Sequence, residues 1–513
     1  MVSFFARRFL SSTLVVLLST LIMYVLVDIA IDPLEDLRTS TAPNKGELIA
    51  SRIAELNLDA PVLSRYLGWL QGASGCVVGN CDLGTNWVTN RPVTALLGGA
   101  IANTLQLVTA ASFLAILLGC MVGLVSALRQ YTGFDYSVTF MSFLFFSLPV
   151  FWVAVLAKAF IAIQFNDFLA DPHLPLWAIV LMSAFWGVAV SAAVAGSLKR
   201  RLATFAATSG GLAAIAFYFN LTDWFTNPTL GIVLVALCAA GAAVVITVLS
   251  TGLGNRRALG AALTVAGIGV ALYYPMLYFW VAVEESWLLI LGLTILSLLV
   301  GVGVGLAWGG PDRAQSARTG ALTAFPVAFL LFVDRVMQSW EPYTNSNIIR
   351  GRPIATIGSE TPNLTGSFWF FTIDQFTHLI LPSLTLILIS FAGYTRYSRA
   401  SMLEVMNQDY IRTARAKGLA ERTVIMRHAF RNALLPLASV VPVDIITLVG
   451  GAVLTETVFG WFGMGRLFVT SLDGNQQDPV MAYILIVGIL AVVANFVADL
   501  VYAVLDPRIR VSA

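Results

Sequence analysis

Few side chains in this sequence can do chemistry, and their spacing limits what they can do. His173, His378 and His428 are scattered on different loops, so they suggest neither a metal site nor a catalytic cluster. No Gly-rich run ending in Gly-Lys-Ser/Thr is present, so the chain is not expected to hydrolyse ATP alone. Cys76 and Cys81 share a polar loop and enclose only Val77 to Asn80, with Gly79 allowing a tight bend. A disulfide is expected there in an oxidising compartment, with two free thiols as the alternative. Cys120 and Cys238 sit in apolar stretches and read as small buried hydrophobes. Two ionisable groups fall deep inside apolar sequence, where charge is costly and usually meets a partner or a wet path. Asp444 either attracts a cationic group in such a path or pairs with a polar group on a neighbouring helix. Lys158 is expected to snorkel toward an interface.

Residues 394–436, YTRYSRASMLEVMNQDYIRTARAKGLAERTVIMRHAFRNALLP, are strongly basic: eight residues are Lys or Arg and three are acidic. A segment this basic between long apolar stretches belongs on the cytoplasmic side of a membrane. Residues 402–416 suit one helix, with Met402, Val405, Met406, Tyr410 and Ala414 along an apolar-to-small stripe. Arg412, Arg415 and Lys417 crowd its last turn, where cations complement the helix dipole. Gly418 follows where a left-handed residue ends a helix. A second helix is expected from about Glu421 to Leu435, ahead of Pro436. A short rigid helix between two spans makes a lever arm.

The elements that position these groups follow from composition. Of 513 residues, 58% are hydrophobic and 11% charged, where a soluble protein has about a quarter charged. Apolar runs of about 20 residues, enough to cross a bilayer as helix, recur along the chain. The ten-residue alternation of a β-barrel does not dominate. Arg7 and Arg8 precede an apolar run longer than a signal peptide's core, with no good cleavage site after it. It reads as a retained first span.

Twelve spans fit. The first covers about 9–30, followed by a polar segment, 31–98, with a short helix at 46–57. Spans at about 99–128 and 135–165 come next, and the last three lie at about 377–396, 433–458 and 480–504. Six more are expected near 175–196, 202–219, 228–250, 258–280, 286–308 and 319–337. Their connections alternate: KRR (199–201), NRR (255–257) and PDRAQSAR (311–318) are basic, whereas NLTDWFTNP (220–228) and VAVEES (281–286) are not. That is the pattern of three helical hairpins with basic turns in the cytoplasm. Arg200, Arg256 and Arg313 are spaced by 56 and 57 residues, as duplicated hairpins would be. Four spans with two re-entrant segments are the alternative. On this placement 20 of the 30 Lys and Arg residues are cytoplasmic and 8 external, and no nucleic-acid partner is implied.

Outside 175–337 the sequence resembles permease subunits of bacterial ABC importers of the dipeptide/oligopeptide/nickel type. TARAKGL (413–419) with RHAFRNALLP (427–436) carries the resemblance first. DLGTN (82–86), NTLQL (103–107), SLPVFW (147–152), HLILPSLTLI (378–387), GGAVLTETVFGWFGMGRLF (450–468) and LDPRIR (505–510) extend it, in order, over roughly 1–165 and 375–513. The general pattern begins Glu-Ala-Ala where this chain has Arg412, Thr413 and Ala414. The long separation of Gly418 from Pro436 suits the peptide subgroup.

The resemblance implies an all-α integral membrane protein: a six-helix ABC type I importer permease core plus about six additional transmembrane helices inserted between core spans three and four. Residues 1–30 would be the first transmembrane helix, 31–98 an extracytoplasmic segment and 99–165 core helices two and three. Residues 175–337 would be the three-hairpin insert and 338–376 an extracytoplasmic loop. Core helices four to six would fill 377–513, with a cytoplasmic coupling loop at 397–432. By resemblance, Arg412, Thr413, Ala414, Arg415, Ala416, Lys417 and Gly418 couple to an ATPase, with the small face entering a cleft. Asp444, Gly450, Gly451, Glu456 and Gly460 are gate or path candidates, and a short surface helix begins near Gly463. The implied partners are a second homologous permease subunit, two ABC ATPase subunits, an extracytoplasmic substrate-binding protein and membrane lipid, with no metal and no cofactor. The implied setting is a bacterial cell membrane with both termini cytoplasmic. The implied function is peptide uptake driven by ATP hydrolysis on partner subunits, the chain itself being non-catalytic. Nickel chelates and glutathione are alternative cargoes, and a self-sufficient secondary transporter is the alternative of another class.

Overall fold

Backbone polar groups in hydrocarbon must be paired within their own segment, which makes each long apolar run a helix. The computed structural model describes residues 2–194 and 196–505, and the fold is all-α apart from a two-residue ladder pairing Thr85–Asn86 with Arg91–Pro92. Among the described residues, ten helices are long and apolar enough to cross a bilayer, or eleven when one bent pair counts as a span. The motif LDPRIR lies outside the described residues beyond Leu505.

Three departures from the expected spans have local causes. The stretch 135–165 is broken: Gly133–Ser147 stops, and the chain resumes as Val150–Leu156, the π-helical turn Ala157–Ile163 and Gln164–Phe168. Leu148 between them is extended (φ −79°, ψ 131°), because Pro149 disfavours helical backbone in the residue before it. The stretch 258–280 becomes Arg256–Ala271 and Tyr273–Ala282, bent by 47°. Pro275 lacks an N–H, and its ring opposes the carbonyl of Ala271 four residues back. The stretch 175–196 contracts to the shorter apolar helix Leu176–Ala192.

The chain divides into two compact units: residues 1–162, 356–359 and 378–513, and residues 163–355 and 360–377. In the first, the 36-residue helix Val93–Leu128 packs on the 39-residue helix Phe368–Met406, of which residues 378–406 belong to this unit. At about 1.5 Å per residue both outrun the ~30 Å hydrocarbon layer, so their ends reach polar surroundings. They meet closely at two glycines one turn apart. A Cβ on Gly119 would lie 2.7 Å from Tyr394 Cβ, and one on Gly123 would lie 2.6 Å from the Thr395 carbonyl oxygen. Small residues at this spacing let backbones meet where lipid supplies no hydrophobic drive.

The polar segment of this unit folds onto the first helix, Val2–Ala30. Tyr66 and Trp69, on helix Val62–Ser74, pack on Tyr24, and Arg65 holds Asp28 at 2.6 Å. The sulfurs of Cys76 and Cys81 lie within bonding distance, with Gly79 between them. In the second unit, Asp334 is the buried centre. It accepts the Leu230 amide at 2.7 Å, the Tyr273 hydroxyl at 2.8 Å and the Gln338 amide at 2.8 Å, tying three helices together.

Close glycine packing makes a simple forecast. Gly123→Val should overpack the helix pair by about 1–3 kcal/mol and lower the thermal midpoint of the purified protein. Gly98→Ala on the same helix has open space at its Cβ and should leave the midpoint unchanged or raise it.

Candidate gate and coupling sites

Of the gate candidates, Gly450, Gly451 and Gly460 flank the short stretch that carries one buried carboxylate, Glu456, whereas Asp444 lies further back on the preceding helix. Helix Leu435–Gly451, whose last turn holds Gly450 and Gly451, turns at Ala452 into Val453–Phe459. Gly463 then opens the amphipathic helix Met464–Asp473, as the family resemblance implied. Glu456 is 0% exposed. Its carboxylate accepts the Thr104 hydroxyl at 2.6 Å and the Arg466 amide at 3.1 Å, while Thr104 Oγ1 accepts the Met464 amide at 2.8 Å. The first turn of a helix carries unpaired N–H groups and partial positive charge, and this carboxylate answers both. Glu456 therefore caps the helix that follows its own, and Thr104 from Val93–Leu128 completes the cap. A Cβ on Gly463 would overlap the Glu456 carboxylate, and one on Gly465 would stand 2.5 Å from Val453 Cα. Close approach fixes these two positions as glycine.

The other end of Val453–Phe459 is equally satisfied. Gly460 ends it in the left-handed region (φ 60°). The Val458 carbonyl accepts Lys158 Nζ, the Phe459 carbonyl accepts the Gly358 amide at 2.8 Å, and the Gly460 carbonyl accepts the Arg466 guanidinium. Lys158 thus does not snorkel; a helix C-terminus and the Phe459 ring, 5.2 Å from its ammonium, hold it inside the protein. Asn103 adds a brace by donating to the Phe462 carbonyl at 3.0 Å and accepting from Trp461 Nε1 at 3.1 Å. Asp444 sits midway along helix Leu435–Gly451.

The coupling candidates occupy a different geometry from the single helix expected over 402–416. Phe368–Met406 ends, Gln408 is extended (φ −72°, ψ 149°), and a separate helix runs Asp409–Ala416. Ile411 and Ala414 are buried against Met402, Val424, Ala429 and Ala433. Arg412, Thr413, Arg415, Ala416 and Lys417 are exposed. Ala414, expected on the outward small face, points inward because the break at Asn407 and Gln408 resets the helix phase; Thr413 and Ala416 supply the exposed small positions. Gly418 adopts φ 74°, and its amide donates to the Arg415 carbonyl at 2.9 Å. Arg415 pairs with Glu421 across this turn at 2.7 Å and holds that carboxyl below its ordinary range. The chain continues as Glu421–Thr423, a π-helical turn Val424–Ala429 and Phe430–Ala433.

Asp135 is a structural anchor that the sequence reading passed over. It is 2% exposed and accepts Arg399 at 2.7 and 3.0 Å, the Ser126 hydroxyl at 2.6 Å and the Tyr131 amide at 3.1 Å. This fastens the turn after Val93–Leu128 to Phe368–Met406 just before the helix Asp409–Ala416. An acid beside a long apolar run and an Arg late in another were the available signals, since each is costly without a partner.

Helices of this number, length and hydropathy make the chain a multi-pass membrane protein. Residues 327–511 match the family described as binding-protein-dependent transport system inner membrane component. It is 44% identical over 155 residues to the oligopeptide transport system permease protein OppB of Mycobacterium tuberculosis (strain ATCC 25618 / H37Rv), covering 30% of this chain and 48% of that one. It is 46% identical over 155 residues to the oligopeptide transport system permease protein AppB of Bacillus subtilis (strain 168), with the same coverage of 30% and 48%. It is 46% identical over 138 residues to the dipeptide transport system permease protein DppB of Escherichia coli (strain K12), covering 27% and 41%. The chain spans about half the length of the curated relatives it matches. DLGTN, NTLQL and SLPVFW lie outside the family match, although Thr104 and Lys158 reach into the Glu456 region.

A double-mutant cycle tests the shared cap. Thr104→Val and Glu456→Gln should each destabilise the protein, and their effects should couple by about 0.5–3 kcal/mol in thermal or chemical unfolding. Additivity within roughly 0.5 kcal/mol would mean that the two groups act independently.

Proposed function

We propose that this chain is a permease subunit of an ABC importer, forming half of a transmembrane path for peptides. The segment 327–511, with its family match and its exposed helix Asp409–Ala416, carries the reading. A second homologous permease subunit would supply the other half of the path. Two ABC ATPase subunits would hydrolyse ATP, and an extracytoplasmic binding protein would deliver the peptide. The relatives are named for oligopeptide and dipeptide transport, which supports peptides as the cargo class. Under this reading 394–436 faces the cytoplasm, as do both termini, and the chain sits in a bacterial cell membrane. The six apolar stretches of 175–337 are an addition to the permease core.

The mechanism follows from which contacts are rigid. A cleft on the ATPase takes the exposed face at Thr413, Ala416 and Leu419, with Arg412, Arg415 and Lys417 around it. Ile411 and Ala414 anchor the other face in the protein, so movement of the ATPase tilts the helix as a body instead of unfolding it. The tilt passes to Phe368–Met406 on one side and to Glu421–Ala433, then Leu435–Gly451, on the other. At the far end of that helix the Glu456 cap holds Val453–Phe459 and Met464–Asp473 in the closed arrangement of the gate. Peptide binding in such a path is weak, because tight binding in one state would oppose release into the next.

Gly418 offers the direct test. A β-branched residue resists φ 74°, so Gly418→Val should tilt the coupling helix. The variant should reach the membrane in near-normal amounts and lose peptide-stimulated ATP hydrolysis by the assembled complex, with Gly418→Ala milder. Full transport and full stimulation in the Val variant would remove the coupling role from Arg412 to Gly418.

A further inference from the structure

The second unit holds a cavity of about 430 Å3 where helix Gly231–Ser250 ends beside the start of helix Arg313–Met337. That volume falls in the usual range for small-ligand pockets, about 300–1,000 Å3. Ser250, Thr251, Gln315 and Arg318 give its wall a polar end, at the end of one helix and the first two turns of the other. Ile246, Leu249 and Leu322 complete the wall, and Ile246 and Leu322 stand a turn farther into the helices. Ser250 and Thr319 share a hydrogen bond between their hydroxyls, and Thr319 is fully buried, so the two helix ends are held together around the space.

Arg318 is exposed, and its guanidinium has no ion pair or hydrogen bond among the described residues. Gln315, three residues earlier on the same helix face, is exposed as well, and its side-chain amide has no partner there either. No carboxylate stands in the wall; Asp312, six residues before Arg318, is exposed outside it. The helix begins at Arg313, and a rise of about 1.5 Å per residue puts Arg318 roughly 7.5 Å along its axis. From there the exposed side is apolar, with Leu322 and Phe325 on this helix and Val245 and Leu249 on its neighbour. Spacings of three and four keep each pair on one face. Both helices are long and apolar enough to cross a bilayer, where such a face meets acyl chains.

The order along the two helices, cation and amide donor first and apolar track after, selects the ligand. A metal ion or a polyamine would be repelled by Arg318 and find no carboxylate. A soluble anion would use the polar end and leave the apolar wall uncovered. An anion joined to hydrocarbon answers both, and basic recesses between membrane helices suit acidic headgroups.

We infer that this cavity seats an anionic phospholipid, with its phosphate on the Arg318 guanidinium and the Gln315 amide and its acyl chains along Leu249, Val245, Leu322 and Phe325. The inference needs only that these helices span a membrane, and it stands apart from the transport reading. It gives the stretch 175–337 a binding task of its own, which is to fasten the protein to acidic lipid.

The test uses the full chain, purified in detergent and stripped of lipid. Native mass spectrometry then follows the addition of dioleoyl phosphatidylglycerol or dioleoyl phosphatidylcholine at equal concentration. The first lipid retained should favour phosphatidylglycerol by about fivefold, the preference that one arginine near an acidic headgroup supplies. Arg318→Gln changes an exposed side chain, so the thermal midpoint without lipid should stay where it is while the preference is lost. Arg313→Gln, at an exposed position of the same helix outside the wall, should keep the preference. Equal retention of both lipids by the unsubstituted chain would mean ordinary annular contact, and an equal loss in both variants would mean a diffuse effect of charge; either overturns the inference. Displacement of phosphatidylglycerol by millimolar inorganic phosphate would overturn it too, by making the site one for a soluble anion.

Discussion

A carboxylate shut away from water must be given donors, and in this protein Glu456 is given them by two separate stretches of chain. Stripping water from an unpaired carboxylate costs several kcal/mol even after the protein relaxes. The first turn of Met464–Asp473 offers amides with the right sign of charge, and Thr104 bridges that turn to Val93–Leu128. Much of the local sequence follows from this constraint. Gly463 and Gly465 leave room for the carboxylate and for Val453, and Arg466 turns back onto the Gly460 carbonyl. Lys158 and Gly358 cover the remaining carbonyls of the same short helix. A segment with both ends satisfied in this way can move as a body, which suits the gate role proposed for it.

The opposite end of the unit uses the same physics with a different pair. Asp135 and Arg399 are both largely withdrawn from water, and each stabilises the other's charge while Ser126 and the Tyr131 amide fill the remaining lone pairs. Between the two sites run the long helices Val93–Leu128 and Phe368–Met406, in backbone contact at Gly119 and Gly123. Rigid, closely packed helices between two discrete polar anchors suit the transmission of movement, and they support the proposed lever at Asp409–Ala416.

Local chemistry was legible in the sequence, whereas long-range pairing was not. Gly418 announced its left-handed turn because basic residues and a helix C-terminus preceded it, whereas the surface helix near Gly463 was reached only through the family resemblance. Apolar length alone located most of the membrane-crossing helices. Breaks at Leu148, Leu272 and Asn407 were missed because apolar periodicity continues across them. Pro149 and Pro275 were the local signals for the first two, and Asn407 with Gln408 for the third. The partner of Glu456 lies 352 residues away, and that of Lys158 lies 300 away. No periodicity spans such distances, so the snorkelling assigned to Lys158 was the reasonable local inference and the wrong one. Ala414 shows a subtler limit: a two-residue break rotated the small stripe inward, although every residue in it was correctly read as helical.

The cap at Glu456 can be interrogated amide by amide. Met464 and Arg466 owe their hydrogen bonds to Thr104 and Glu456 and not to their own helix. Native-state hydrogen exchange on Glu456→Ala, compared with the unsubstituted protein, therefore reads the constraint directly. The account predicts that the amides of Met464, Arg466 and Gly358 lose protection together while those at Lys417 and Gly418 keep theirs. Unchanged protection at Met464 and Arg466 would contradict it.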